Sequence, residues 1–405
     1  MKRLNALFAG IAMALPFQFV SAQDVETISP ISIITSEQVT SFSLQRNIDA
    51  NFIKFLRDGD KIGTQNTYGI NADLNYYPKK HWGFGGTFIW NQTTTEFNTN
   101  KTTTSDLGIF GNISYIDVIN PQTAIYGRVG VGYLTDITKI VTGSNTNKET
   151  DNGFAVRATV GLPIHLDKFA YVTPFVQYQY QSGNFDGGKF TDNSISAGVN
   201  LEAYMRCHDD FNCDSKVGYK HSANAYDPGK NMFGFWTNAS FGMGTVKTKY
   251  DDLQQETKDK YSDVNIAVDY TRYVWKGIGI GAEFGIQNNV QESEDFNIKV
   301  TRTNLEFSPH VVFQGPWDGA ARNLFLELEG IFGSETIKTS GSNGITEKDN
   351  ITGFGFGFGY NCFFGENLAI SPIICREYAT LKNDETGDKT NRNTWTFGLG
   401  VRASF

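Results

Sequence analysis

From about residue 66 to the last residue, apolar and polar side chains alternate with a period of two. Tyr68, Ile70, Ala72, Leu74 and Tyr76 share one face of an extended segment, and Gly69, Asn71, Asp73, Asn75 and Tyr77 share the other. Trp82, Phe84, Gly86, Phe88 and Trp90 repeat the pattern, as do Phe354, Phe356, Phe358 and Tyr360 and the terminal run from Trp395 to Phe405. A helix would space apolar residues three or four apart, so the pattern predicts strands throughout. Many of these strands run 10–14 residues, the length a tilted membrane crossing needs. A first strand is expected within Thr35–Asn51.

Connections are expected to alternate between short and long. Pro78–His81, His165–Lys168, Val274–Gly277 and Phe363–Asn367 read as tight turns. Asn91–Thr104, Ile140–Asp151, Tyr250–Asp263, Thr339–Asn350 and Leu381–Asn393 read as long polar external loops, an asymmetry typical of outer-membrane barrels. Aromatic residues bracket the apolar face. Trp82 and Trp90 lie about 20 Å apart across the membrane at roughly 3.3 Å per residue and a tilt of about 40°. The expected class is therefore all-β, a transmembrane antiparallel β-barrel rather than a soluble sandwich.

Composition sharpens this picture. Aromatic residues make up 14%, with 42 Gly, against 40% hydrophobic and 19% charged residues. No run of about 20 apolar residues follows the N-terminus, which excludes a polytopic helical protein. Lys2 and Arg3, an apolar run from Ala6 to about Val20, and Val20-Ser21-Ala22 read as an export signal cut before Gln23. Removing it takes the net charge from −8 to −10. No basic stripe appears, so a nucleic-acid partner has no electrostatic basis.

The chain also shows an internal likeness. Asp73, Gly83 and Gly85 match Asp269, Gly279 and Gly281, and Gly198-Val199 matches Gly400-Val401. The expected organisation is a signal peptide at 1–22, a first barrel repeat at 23–206, a periplasmic linker at 207–231 and a second repeat at 232–405. Both repeats resemble the OmpA-like outer-membrane β-barrel domain family, with about eight strands each. Gly400 and Phe405, in the pattern Gly-x-x-x-x-Phe, resemble the terminal signal read by the outer-membrane assembly machinery. The expectation is two barrels of eight strands. The alternative is one of sixteen, in which the strand near Ser194–Tyr204 pairs with the one near Met232–Lys247 and the first strand with the last.

Candidate chemistry is sparse. Glu306, Ser308 and His310 share one lumen face, but side chains at i and i+2 stand roughly 6–7 Å apart, too far for a nucleophile–base hydrogen bond. An enzyme is not expected, nor a cofactor. Cys207 and Cys213, with His208 between them, suit a short disulfide loop in an oxidising compartment, with free thiols or a metal as alternatives. Cys362 and Cys375 fall on opposite strand faces and are expected to stay unpaired. Lumen charges in the first half are Asp73, Asp106 and Glu202 with Arg128 and Arg157, a mix that suggests a plugged interior. In the second half Asp269, Glu283, Glu306, Glu327, Glu329 and Glu377 outnumber Arg302 and Arg402. They suggest either a packed interior or a cation-preferring path. The functional expectation is a non-enzymatic outer-membrane barrel with a structural or surface-interaction role. Its partners would be outer-membrane lipid and lipopolysaccharide, the assembly machinery and an unidentified loop partner. A porin-like channel is the alternative, and a barrel hydrolase a second.

Overall fold

The computed structural model describes residues 39–404 apart from 45–48, 121–122, 168–169, 186, 207–224, 237–239, 251–255, 316–322, 342–343 and 364–367. The export signal, Cys207, Cys213 and Phe405 lie outside the described residues. The first half contains β1 (Val39–Leu44), β2 (Asp49–Arg57), β3 (Asp60–Tyr77), β4 (Trp82–Phe97), β5 (Asn100–Asn120), β6 (Thr123–Thr142), β7 (Asn145–Gly161), β8 (Ile164–Asp167), β9 (Ala170–Phe185) and β10 (Gly188–Arg206). The second contains β11 (Asn231–Trp236), β12 (Ser240–Tyr250), β13 (Glu256–Trp275), β14 (Ile278–Ser293), β15 (Ile298–Gln314), β16 (Leu324–Ser340), β17 (Ile345–Tyr360), β18 (Cys362–Phe363), β19 (Leu368–Asn383) and β20 (Lys389–Ser404). All pairings are antiparallel. With β1–β2 and β11–β12 each counted as one interrupted strand, and the short β8 and β18 set aside, the wall is a closed barrel of sixteen strands.

The wall forks. Toward the external ends, β10 pairs with β12 from Gly188↔Tyr250 to Gly198↔Ser240, and β2 pairs with β20 from Leu56↔Asn391 to Asp49↔Gly398. These are the contacts of the single large barrel. Toward the periplasmic turns the partners change. Leu201 to Arg206 of β10 pair with β1, and Gly400 to Ser404 of β20 pair with β11. β1 also pairs with the lower part of β3, and β11 with the lower part of β13. One ring of sixteen strands at the outer end thus divides into two lobes of eight at the inner end. The expected tandem pairing and its alternative occur at different heights of one wall.

Facing follows the alternation. Ile70 and Leu74 point outward and are exposed, whereas Asp73 and Asn75 point inward and are fully buried. Among the described residues the expected long loops are largely strand. Asn91–Thr104 is the top of β4 and β5, joined around Asn98, and Ile140–Asp151 is the top of β6 and β7, joined at Gly143. Asp58 and Gly59 both have positive φ, 52° and 90°, in a two-residue hairpin of the kind an Asp-Gly pair favours. β5 has 21 residues, about 50 Å of height at roughly 3.3 Å per residue and a tilt of about 40°, against an apolar band of about 25 Å. The remainder is a polar collar standing above the membrane. These segments read as loops because their Thr, Asn and Lys residues carry no apolar face, and above the bilayer no lipid requires one.

Candidate functional site: two aromatic floors

Buried aromatic side chains gather at the periplasmic end of the first lobe. Tyr77, Tyr126, Tyr171 and Tyr204 are completely buried together with Val39, Ile116 and Ala124. The Tyr171 and Tyr204 rings meet edge-on with centroids 5.0 Å apart. Gly83 makes room for this floor: a Cβ there would lie 2.6 Å from the Tyr77 ring. Above the rings, Arg128 donates from Nη1 to Asp73 Oδ2 at 2.6 Å, and Thr87 donates to Asp73 Oδ1. Asn112 donates to Thr87 at 2.8 Å. Glu202 accepts from Thr173 and from the Tyr204 hydroxyl, each at 2.9 Å. Arg157 covers the Phe110 ring at 4.1 Å and donates to Gln179. Asp106 stands higher, opposite Asp136 on β6. Of the charges expected in this lumen, Arg128 and Asp73 form an ion pair, Glu202 is held by hydroxyl donors, and Arg157 by an aromatic face and an amide.

The second lobe has a floor of different make-up. The last residues of the expected linker pack into its floor. Tyr226 meets Tyr273 at 5.5 Å and Phe363 at 6.0 Å, with Ala225, Met232 and Ala369 buried around them. Asn361 donates to the Tyr226 hydroxyl at 3.0 Å, and Gln314 to the Tyr273 hydroxyl at 2.7 Å. Backbone bonds fix the segment: Gly277 N donates to Tyr226 O, Gly229 N to Tyr273 O, and Tyr273 N to Lys230 O. Residues 225–230 are thus part of the second barrel's floor, and β11 begins at Asn231.

Over that floor sits a polar cluster. His310 is buried. Its Nε2 lies 2.8 Å from Thr271 Oγ1 and 3.3 Å from Asp269, and its Nδ1 lies 3.6 Å from Glu327. Arg402 Nη2 reaches Glu327 at 3.1 Å and Asp269 at 3.7 Å, with its guanidinium 4.2 Å over Phe325. Glu283, Glu306, Glu329 and Glu377 line a small chamber of about 50 Å³ above it, with Cys375. Arg392 approaches Glu306 at 3.7 Å. Arg302 lies outside this group. It pairs with Glu335 in the collar, and its side chain is mostly exposed. Cys362 and Cys375 are both free. The Glu306–Ser308–His310 row does not form a relay, since the imidazole is engaged by Thr271, Asp269 and Glu327. The contributions of Arg392, Tyr226 and Tyr273 were missed in the sequence. Arg392 falls in a stretch that reads as loop, and the two tyrosines gain their role only from the fold.

Among known families, the model of the "Autotransporter beta-domain" matches residues 48–241. This corrects the OmpA-like resemblance, which rested on alternation, aromatic bands and a terminal Gly-x-x-x-x-Phe, all features that outer-membrane barrels of many sizes share. The match takes in β2 and crosses into β12, so it follows neither expected repeat. No curated protein matches the chain. Solved structures with a similar arrangement include the CymD monoaromatic hydrocarbon channel, with a TM-score of 0.30, 9% identity, and coverage of 93% of this chain and 91% of that one. The translocator domain of autotransporter NalP from Neisseria meningitidis gives a TM-score of 0.24 and 9% identity over 100% and 97%. Pseudomonas aeruginosa OpdK with vanillate gives 0.29 and 8% over 91% and 98%. Likeness at this level carries nothing about ligand or mechanism. The chain is an outer-membrane β-barrel.

Proposed function

We propose that this protein is a non-conducting, non-enzymatic barrel that presents a tall polar collar at the outer surface. The observation that carries the reading is the pair of aromatic floors, Tyr77, Tyr126, Tyr171 and Tyr204 in one lobe and Tyr226, Tyr273 and Phe363 in the other. Buried aromatic pairs add roughly 0.5–1.5 kcal/mol each beyond their area, which favours the filled floor over an open one. The same filling argues against a translocator role of the kind the family description suggests, because a polypeptide would have to displace the Arg128–Asp73 pair and four rings. Export through cleavage at Ala22–Gln23, and assembly through a terminal signal including Gly400 and Phe405, belong to the proposal. So does origin by duplication, which is supported by Asp73 and Asp269, each on the third strand of its half and each facing an arginine.

A second reading has its own observation. The acidic chamber of Glu283, Glu306, Glu329 and Glu377 suits a cation path if residues 225–230 withdraw. Planar-bilayer recording of the full reconstituted protein separates the two. The closed barrel gives no steady unitary steps. Sustained, cation-selective steps in the unmodified protein would overturn it.

A further inference from the structure

Where the wall forks, the outer surfaces of the two lobes curve away from each other and leave a cleft on the lipid side. Its volume is about 580 Å³, within the roughly 300–1,000 Å³ of small-molecule sites. Tyr68, Ile70 and Trp90 line it from the first half, and Phe358, Ile374 and Phe397 from the second. The lining is almost wholly apolar and lies in the membrane band, so hydrocarbon rather than water fills it.

The external edge of the cleft is cationic. Cys375 and Glu377 line the inner chamber, so Arg376 between them points outward, as Ile374 does. Its guanidinium lies 4.8 Å from the Tyr378 ring and 4.6 Å from the Trp395 ring. Trp395 stacks on Phe397, which lines the cleft. Lys54 shares the outward face of β2 with Ala50 in the cleft and with Phe52, whose ring meets Tyr68 and Phe397 edge-on. Among the described residues neither Arg376 nor Lys54 has a carboxylate partner, and Arg376 Nε is buried without an acceptor. An outward arginine costs about 2–4 kcal/mol at mid-membrane and close to nothing at the interface, where it can reach a headgroup. A guanidinium is also the side chain best shaped for two-point contact with phosphate.

We infer that the fork is a lipid site that seats an acyl chain of lipopolysaccharide in the cleft and holds its phosphate between Arg376 and Lys54. The occupant belongs to the outer leaflet because both cations lie on the external side of the cleft, away from the tyrosine floors. The site does not depend on whether either lumen conducts.

Native mass spectrometry of the full detergent-purified protein tests this, with lipid A, dephosphorylated lipid A and phosphatidylglycerol as probes. Lipid A should bind in preference to both others. R376Q with K54Q should weaken it roughly tenfold or more, as the loss of charge-assisted bonds requires. Ala50→Trp, which fills the cleft, should also weaken it while leaving both cations in place. Retained heat-modifiability shows that each variant is folded. Equal binding of the dephosphorylated lipid, preference for phosphatidylglycerol, or no change in R376Q/K54Q would each overturn the assignment.

Discussion

Arg128 and Asp73 meet at 2.6 Å inside the first lobe, where the arginine side chain is 4% exposed and the aspartate 0%. Two charges so far from water are stable only as a pair. Removing one leaves the other uncompensated at a cost of about 3–5 kcal/mol, whereas removing both costs much less. Arg128→Met should therefore lower the denaturant midpoint of the detergent-solubilised barrel sharply, and Asp73→Asn combined with Arg128→Met should recover most of the loss. Additive losses would show that the two residues do not act as a pair.

The floor of the second lobe gives a conductance prediction. Tyr226→Ala with Tyr273→Ala removes the edge-on ring pair under the acidic chamber. In planar bilayers the double variant should show steps favouring cations, because Glu283, Glu306, Glu329 and Glu377 line the route above. A silent variant would place the block elsewhere.

The collar can be tested with protease. Lys101 pairs with Glu96 and Val141, and Lys139 with Thr103 and Lys148, so their backbone is held in sheet well above the apolar band. Trypsin added outside reconstituted vesicles should leave the bonds after Lys101 and Lys139 intact. Rapid cutting there would restore mobile loops in place of the collar.

One external turn carries a pH dependence. Hydrogen bonds from Lys260 and then Lys258 hold the Glu294 carboxyl below the usual carboxylate range. A group lowered on folding stabilises the turn above its unfolded value, and that support is lost as pH falls through the lowered value. Hydrogen-exchange protection across 294–297, taken relative to the intrinsic exchange rate at each pH, should hold at neutral pH and fall only in acid. The group lies at the surface, so the effect stays local. Protection independent of acid would remove Glu294 from the account of this turn.

Period-two alternation made the wall and its facing legible: Leu74 and Phe84 outward, Asp73 and Asn75 inward. It also placed most of the inward charges, but it put Arg302 in the lumen, where the structure has it in the collar with Glu335, and it missed Arg392. It could not reveal the fork. Exchanging β1 for β12 as the partner of β10 leaves every side chain on the same face, so both pairings satisfy one pattern. The collar was hidden for a related reason, since segments such as Asn100–Ser105 are polar on both faces. One of its turns was readable all the same: Asp58-Gly59 is a hairpin signal. The linker misled because polar composition does not show that Tyr226 anchors its end in a floor.

Cysteine cross-linking at the fork tests the forked wall most directly. In a background with the four native cysteines replaced by serine, one pair is placed at Asn193 and Thr245 and the other at Phe42 and Ala203, partners in the upper and lower registers. Directly opposed strand positions lie about 4.5–5.5 Å apart, within disulfide reach. A forked wall forms both cross-links in the same molecule on oxidation in the outer membrane, read by mass spectrometry of the intact quadruple variant and its fragments. The Asn193–Thr245 link alone would mean a uniform barrel of sixteen strands, and the Phe42–Ala203 link alone would mean two separate barrels; either contradicts the fork.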